Sequence, residues 1–297
     1  MLRSEDGGSA WGKTPYAGTG RLEKISFIDS KRGWSINSKE KEEVLSSADS
    51  GTTWSVVTNR EYFAGDLVGG IMQVEFVDEE HGWLAEPFAI WWTEDGGATW
   101  KPSEIPWDVE DLELIAELVF VDSETGWWYS QKKSVYRTTD GGKTWNGGKL
   151  KLPGEWIRDL FFIDRHVGWL CTGTRKGGIY STRDGGVTWR RLRVPVENVS
   201  LASIFFVNGD EGWAVGEEVL DEAATGKEFE PLVLHTIDGG KEWERVSGGG
   251  EELGYDKIYF GDAQNGWLVG YNKVYRTDDG GNTWQTVLTL PDTREGQ

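Results

Sequence analysis

The stretch Thr138-Thr139-Asp140-Gly141-Gly142-Lys143-Thr144-Trp145 recurs along the chain, and the rest of the sequence is arranged between its copies. Further copies run Ser47–Trp54, Thr93–Trp100, Thr182–Trp189, Thr236–Trp243 and Thr277–Trp284, and a degenerate one, Ser4–Trp11, opens the chain. The box aspartates Asp6, Asp49, Asp95, Asp140, Asp184, Asp238 and Asp279 stand 41 to 54 residues apart. Self-similarity at such a period marks a repeat architecture.

A second signature precedes six of the seven boxes, a Phe-x-Asp or Phe-x-Asn turn followed by Gly-Trp. It runs from Phe27 to Trp34, Phe76 to Trp83, Phe120 to Trp127, Phe162 to Trp169, Phe206 to Trp213 and Phe260 to Trp267. Each unit therefore reads as four short β segments. One ends at Phe, one follows Gly-Trp, one resembles Val135-Tyr136-Arg137-Thr138, and one starts at the box Trp. Four such segments with turns at fixed offsets describe one blade of a propeller. The glycines tolerate positive φ, and the Asp carboxylate accepts backbone N–H bonds across the turn. Each Trp buries a ring of roughly 150–250 Å² between neighbouring sheets.

Of the 18 tryptophans, 13 fall at the two repeat positions, which assigns them to the core. The same strict recurrence makes Asp49, Asp95, Asp140, Asp184, Asp238 and Asp279 turn-formers, not metal ligands.

This pattern resembles the BNR, or Asp-box, family of β-propellers, whose motif is Ser/Thr-x-Asp-x-Gly-x-Thr-Trp. Thr236–Trp243 departs from it with Glu242, and Ser4–Trp11 with Ala10. Coupled to Phe-x-Asp and Gly-Trp, the box is most similar to the photosystem II stability/assembly factor-like branch, and the resemblance covers essentially the whole chain. It implies an all-β propeller. It does not name a function, because the family includes sialidases, xyloglucanases, sorting receptors and assembly factors.

The expected architecture is one domain over 1–297, with a half-blade at 1–16 and blades at about 22–57, 71–103, 115–148, 157–192, 201–246 and 255–290. That makes a six- or seven-position ring. The regular Asp6–Asp49 step, and the seven blades of the branch it resembles, favour seven.

A formal charge of −19 argues against nucleic-acid phosphates and against adsorption to anionic lipid, both of which need a basic face. Cys171 is the only cysteine, so no intrachain disulfide forms; it reads as a core residue. No apolar run approaches the ~20 residues of a membrane helix. Arg3, Glu5 and Asp6 interrupt any signal-peptide-like start. Asp-box proteins are mostly exported, so the resemblance implies an extracytoplasmic protein with its leader absent from this chain.

No cofactor or metal is expected. His81, His166 and His235 are scattered through structural turns, and no spacing suits zinc or calcium. Gly18-Thr19-Gly20 lacks the Lys-Ser/Thr of a phosphate loop. The resemblance to sialidases would require three arginines around a carboxylate and a Tyr–Glu pair. Arg193-Val194-Pro195 echoes the sialidase Arg-Ile/Leu-Pro motif only distantly and stands after the fourth complete box. With 50 acidic residues, some pair at the ~5–10 Å of glycoside hydrolysis is expected by chance.

In an up-down-up-down blade, the Phe-x-Asp turns and the boxes share one face. All the variation in loop length falls on the other, including the insertion Glu217–Pro231. Variable loops on a rigid scaffold are where binding is carried. The candidate partner-binding residues there are Tyr62, Phe63, Trp107, Trp156, Arg158 and Arg193. Trp91 and Trp92, in a third strand, are expected to pack between blades, and Trp128 to face away from Trp127. The reading is a non-catalytic platform for a protein partner. The alternative is a carbohydrate-binding or glycoside-hydrolysing propeller with a glycan as ligand.

Overall fold

The computed structural model describes residues 2–13, 21–37, 43–59, 70–106, 113–130, 132–152, 156–174, 176–221, 228–250 and 254–291. All regular secondary structure among them is β-strand, arranged as six four-stranded antiparallel blades and one two-stranded sheet. Within each blade the strands follow chain order, as in Leu22–Phe27, Gly33–Asn37, Glu43–Ser47 and Ser55–Asn59 of blade one.

The chain divides into two compact units. The first combines Met1–Arg3 with Gly12–Leu150, and the second Ser4–Trp11 with Lys151–Gln297. Blades one to three, spanning 22–59, 73–102 and 115–149, belong to the first. Blades four to six, spanning 156–191, 199–246 and 255–289, belong to the second.

Each box is a turn built by its own side chains. In the first, Ser47 Oγ donates to Asp49 Oδ1 at 2.9 Å and accepts the Gly51 N–H at 2.9 Å. Asp49 then takes the Thr53 N–H on Oδ1 and the Thr53 hydroxyl on Oδ2. The Thr53 hydroxyl and its backbone N–H hold the Asp49 carboxyl down at about 2. Asp29, which takes the Arg32 and Lys31 N–H groups in the Phe-x-Asp turn, is likewise held at about 2, mainly by those bonds. These carboxylates are spent on turns.

Two glycines in the box serve two different tryptophans. The carbonyl of the first accepts the indole of the preceding blade's Gly-Trp, as Gly96 O does from Trp34 Nε1 at 3.0 Å. The carbonyl of the second accepts the box's own Trp, as Gly97 O does from Trp100 Nε1 at 2.9 Å. Both glycines hold positive φ, 71° and 93°, where a side chain would be strained.

Between blades the apolar residues form separate sandwiches. Trp34, Ile36, Val74, Phe76, Leu84, Trp91 and Trp100 fill the seam of blades one and two. Trp83, Ile90, Trp92, Leu118, Phe120, Trp128 and Trp145 fill that of blades two and three. Trp91 and Trp92 thus pack on opposite faces of one strand, as expected, and Trp128 stacks on Tyr136 at 4.2 Å. Cys171 is fully buried in the seam of blades four and five.

The N-terminal hairpin pairs Leu2–Arg3 with Gly12–Lys13. In the second unit its box stands to blade six as a box stands to the blade before it. Trp267 Nε1 lies 2.6 Å from where a Cβ on Gly8 would sit, and Arg276 Nη1 donates to Ser9 Oγ at 3.2 Å. In the first unit Arg3 Nη1 donates to Thr52 Oγ1, in the box of blade one, at 3.1 Å.

Candidate functional site

The innermost strand of each blade leaves one row of backbone N–H groups without a ladder partner, which a folded protein must satisfy. Side chains of the preceding blade do so. Ser26 accepts the Phe76 N–H at 3.1 Å, Gln73 the Leu118 N–H at 2.6 Å, and Glu75 the Phe120 N–H at 2.9 Å. In the second unit Asp159 accepts the Ile204 N–H at 3.1 Å and Ser203 the Ile258 N–H at 3.4 Å.

Asp159 is the hub of this row. Its Oδ2 also takes the Ser203 hydroxyl at 2.6 Å, and its Oδ1 lies 3.3 Å from Lys257 Nζ. The carboxylate is therefore matched in charge and hydrogen bonds, as a buried ion must be. Glu75 is less favourably placed. Burial pushes its carboxyl up to about 8, with the nearby Glu117 charge adding to the rise and the Phe120 N–H opposing it.

Just before these residues, five of the six inner strands carry a bulge, at Leu22/Lys24, Ile115/Glu117, Ile157/Asp159, Leu201/Ser203 and Tyr255/Lys257. A bulge inserts one residue and re-aims the side chains before it. In blade four the inserted residue is Arg158, whose Cγ and Cδ lie over Gly173, 2.8 and 2.9 Å from where a Cβ would sit.

The bulge sets Trp156 and Arg158 at the variable-face end of blade four. Trp156 is 50% exposed, whereas Ile157 between them is fully buried. Arg158 shares its surroundings with three acids. Burial raises the Glu217 carboxyl, Asp256 and Glu228 raise it further, and Arg158 draws it down. Arg193 is exposed in the link between blades four and five. Tyr62, Phe63 and Trp107 lie outside the described residues, as do residues 222–227 of the Glu217–Pro231 insertion.

Sequence reasoning missed the inner-strand row and an aromatic series beside it. Phe161, Phe205 and Tyr259, one residue before each repeat-position Phe of the second unit, follow one another at 5.0 Å between ring centres. Tyr259 is 57% exposed. The signal was available at a fixed offset from Phe162, Phe206 and Phe260, but the residue type varies elsewhere. Among the described residues no three His, Cys, Asp or Glu side chains converge as metal ligands would.

Six four-stranded blades, joined within each unit through Gly-Trp and box turns, define a BNR-repeat β-propeller. The photosynthesis system II assembly factor YCF48 family model matches the chain twice, at residues 66–158 and 148–252, and the chain belongs to that family. A solved YCF48 bound to D1 peptide is 20% identical, with a TM-score of 0.66 over 92% of this chain and 82% of that one. YCF48 from Cyanidioschyzon merolae is 18% identical, with a TM-score of 0.66 over 94% and 86%. The GH74 enzyme of Niastella koreensis is 15% identical, with a TM-score of 0.68 over 90% of this chain but 47% of its own. At these identities the likeness concerns the fold. No curated protein matches the chain in sequence.

Proposed function

We propose that this chain is a non-catalytic propeller that captures a protein partner on its variable face, as an assembly or stability factor. Membership in the YCF48 family carries this reading, and a relative solved with a bound peptide supports it. On this chain the contact surface is assigned to Trp156 and Arg158 at the start of blade four, with Arg193, Tyr62, Phe63 and Trp107 on the neighbouring connections. A half-exposed Trp beside an Arg has the composition of an interface anchor. The working compartment is proposed to be extracytoplasmic.

The test is affinity capture from the native organism with intact chain and a Trp156→Ala, Arg158→Ala double variant as baits. The partner retained by the intact bait is then purified and its binding to both baits measured. Equal affinity for both baits would refute the assigned face. Turnover of a sialoside or glucoside by the intact chain would replace the reading with the carbohydrate-active one.

A further inference from the structure

Outside the variable face, the second unit contains a polar cavity of about 260 Å³, lined by Ser9 of the hairpin box and by residues 276–278, 283 and 285–287 of blade six. It lies along the outer strands of that blade, not at the start of an inner strand. Arg276 supplies its cation. Of the five N–H groups on this guanidinium, Nη1 donates to the neutral Ser9 hydroxyl, and Nε is buried with no acceptor. Arg276 forms no ion pair among the described residues, although the chain carries 50 Asp and Glu. The half-buried guanidinium therefore keeps donors to offer, although Asp278 stands in the same wall beyond ion-pair distance.

The other lining groups sort by what they can still offer. The Thr283 hydroxyl is committed to Asp279 Oδ2 at 2.6 Å, and the Ser9 hydroxyl to the Asp6 carbonyl at 3.2 Å. The Gln285 amide is exposed on the strand that closes the cavity. Arg276 and Gln285, directly opposite one another on neighbouring strands, thus present donors on one face.

We propose that this cavity binds a small carboxylate, held by Arg276 with Gln285 alongside. A guanidinium presents parallel N–H bonds matched to the two oxygens of a carboxylate. Charge decides against a phosphate dianion. Asp278 stands in the cavity wall and the chain carries −19, so a second negative charge is repelled both locally and by the whole protein.

The test uses the full chain labelled with nitrogen-15 at arginine. The Arg276 Nε–H resonance is assigned by its loss in Arg276→Lys and followed during titration with sodium acetate, with sodium chloride and sodium phosphate at equal ionic strength in parallel. Acetate should shift it saturably with a Kd of roughly 1–10 mM. Gln285→Ala, on the exposed strand, should weaken the binding several-fold while leaving the arginine spectrum otherwise folded. No saturable shift with acetate, an equal shift with chloride, or tighter binding of phosphate would each overturn the proposal.

Discussion

Trp213 Nε1 donates to the carbonyl oxygen of Gly280 at 3.0 Å, tying the second strand of blade five to the box of blade six. The same bond joins Trp34 to Gly96, Trp83 to Gly141 at 2.8 Å, and Trp169 to Gly239 at 3.2 Å. The two sequence signatures are therefore the two halves of one interblade joint. Trp213 also stacks on Phe260, with ring centres 3.5 Å apart and planes within 8°. Trp213→Phe keeps an aromatic ring but leaves the Gly280 carbonyl short of a donor, at an expected cost of about 1–3 kcal/mol. Trp213→Ala removes the ring as well and should cost about 3–5 kcal/mol. Urea denaturation of the two variants separates bond from ring; equal losses would mean that the ring contributes nothing beyond its N–H.

The joint leaves no room for a side chain on the second box glycine. A Cβ on Gly142 would stand 2.7 Å from Trp83 Nε1, at a φ of 82°. Gly142→Ala therefore meets both a left-handed backbone penalty and an aromatic wall, and should lose about 2–4 kcal/mol. Gly209, whose added Cβ meets nothing within 4 Å, is the control; its change to Ala should stay within about 0.5 kcal/mol. A neutral Gly142→Ala would show that the Trp83 ring can move aside.

The tryptophans, the boxes and the blades were legible because every repeat solves the same packing problem with the same residues. Trp91 and Trp92 could be placed between blades for the same reason. The sealing of the inner strands was not legible. Ser26, Gln73, Glu75, Asp159 and Ser203 do one job with four residue types at two different offsets from the repeat Phe, so no one residue type recurs at a fixed position for a period to reveal. Nor could spacing show that the Ser4–Trp11 box meets Trp267 and Arg276, some 260 residues away. Of the candidate contact residues, only Trp156, Arg158 and Arg193 fall among the described residues. The placement of Trp156 and Arg158 depends on a bulge, which leaves no mark in the periodicity.

Glu75 should give the fold a measurable pH dependence. Its carboxyl keeps its proton up to about 8 in the folded chain, mainly through burial. An unfolded Glu releases its proton near ~4.3. Between those values the folded state binds more protons, so this group's contribution to stability falls as pH rises through the window. Glu75→Gln, which retains an acceptor for the Phe120 N–H, should flatten that slope. The variant's advantage should grow by roughly 4 kcal/mol between pH 5 and pH 9. Parallel wild-type and variant stability curves would mean that the Glu75 proton is not retained.

Asp159 ties blade five to blade four through Ser203 and the Ile204 N–H, and blade six through Lys257. Asp159→Ala removes the acceptor of all three and leaves Ile204 N–H unmatched, a loss of about 2–4 kcal/mol. Asp159→Asn keeps an oxygen for one donor and should recover part of it. Amide exchange at Ile204, accelerated in the Ala variant more than in the Asn variant, would trace the loss to the inner-strand edge. Unchanged exchange there would place the destabilisation elsewhere.

Trp156 and Trp169 sit in the first two strands of one blade with opposite fates, half exposed and fully buried. Trp169→Ala should cost about 3–5 kcal/mol, because it empties a seam shared with Phe206 and Trp243. Trp156→Ala uncovers far less apolar surface and should cost no more than about 1–2 kcal/mol. The proposed partner contact is therefore separable from folding. Affinity should drop at least tenfold in Trp156→Ala at temperatures where the variant is fully folded, and Trp156→Tyr should restore part of it. If Trp156→Ala instead melts with Trp169→Ala, the ring belongs to the blade's core and the contact must be sought along the Arg193 link.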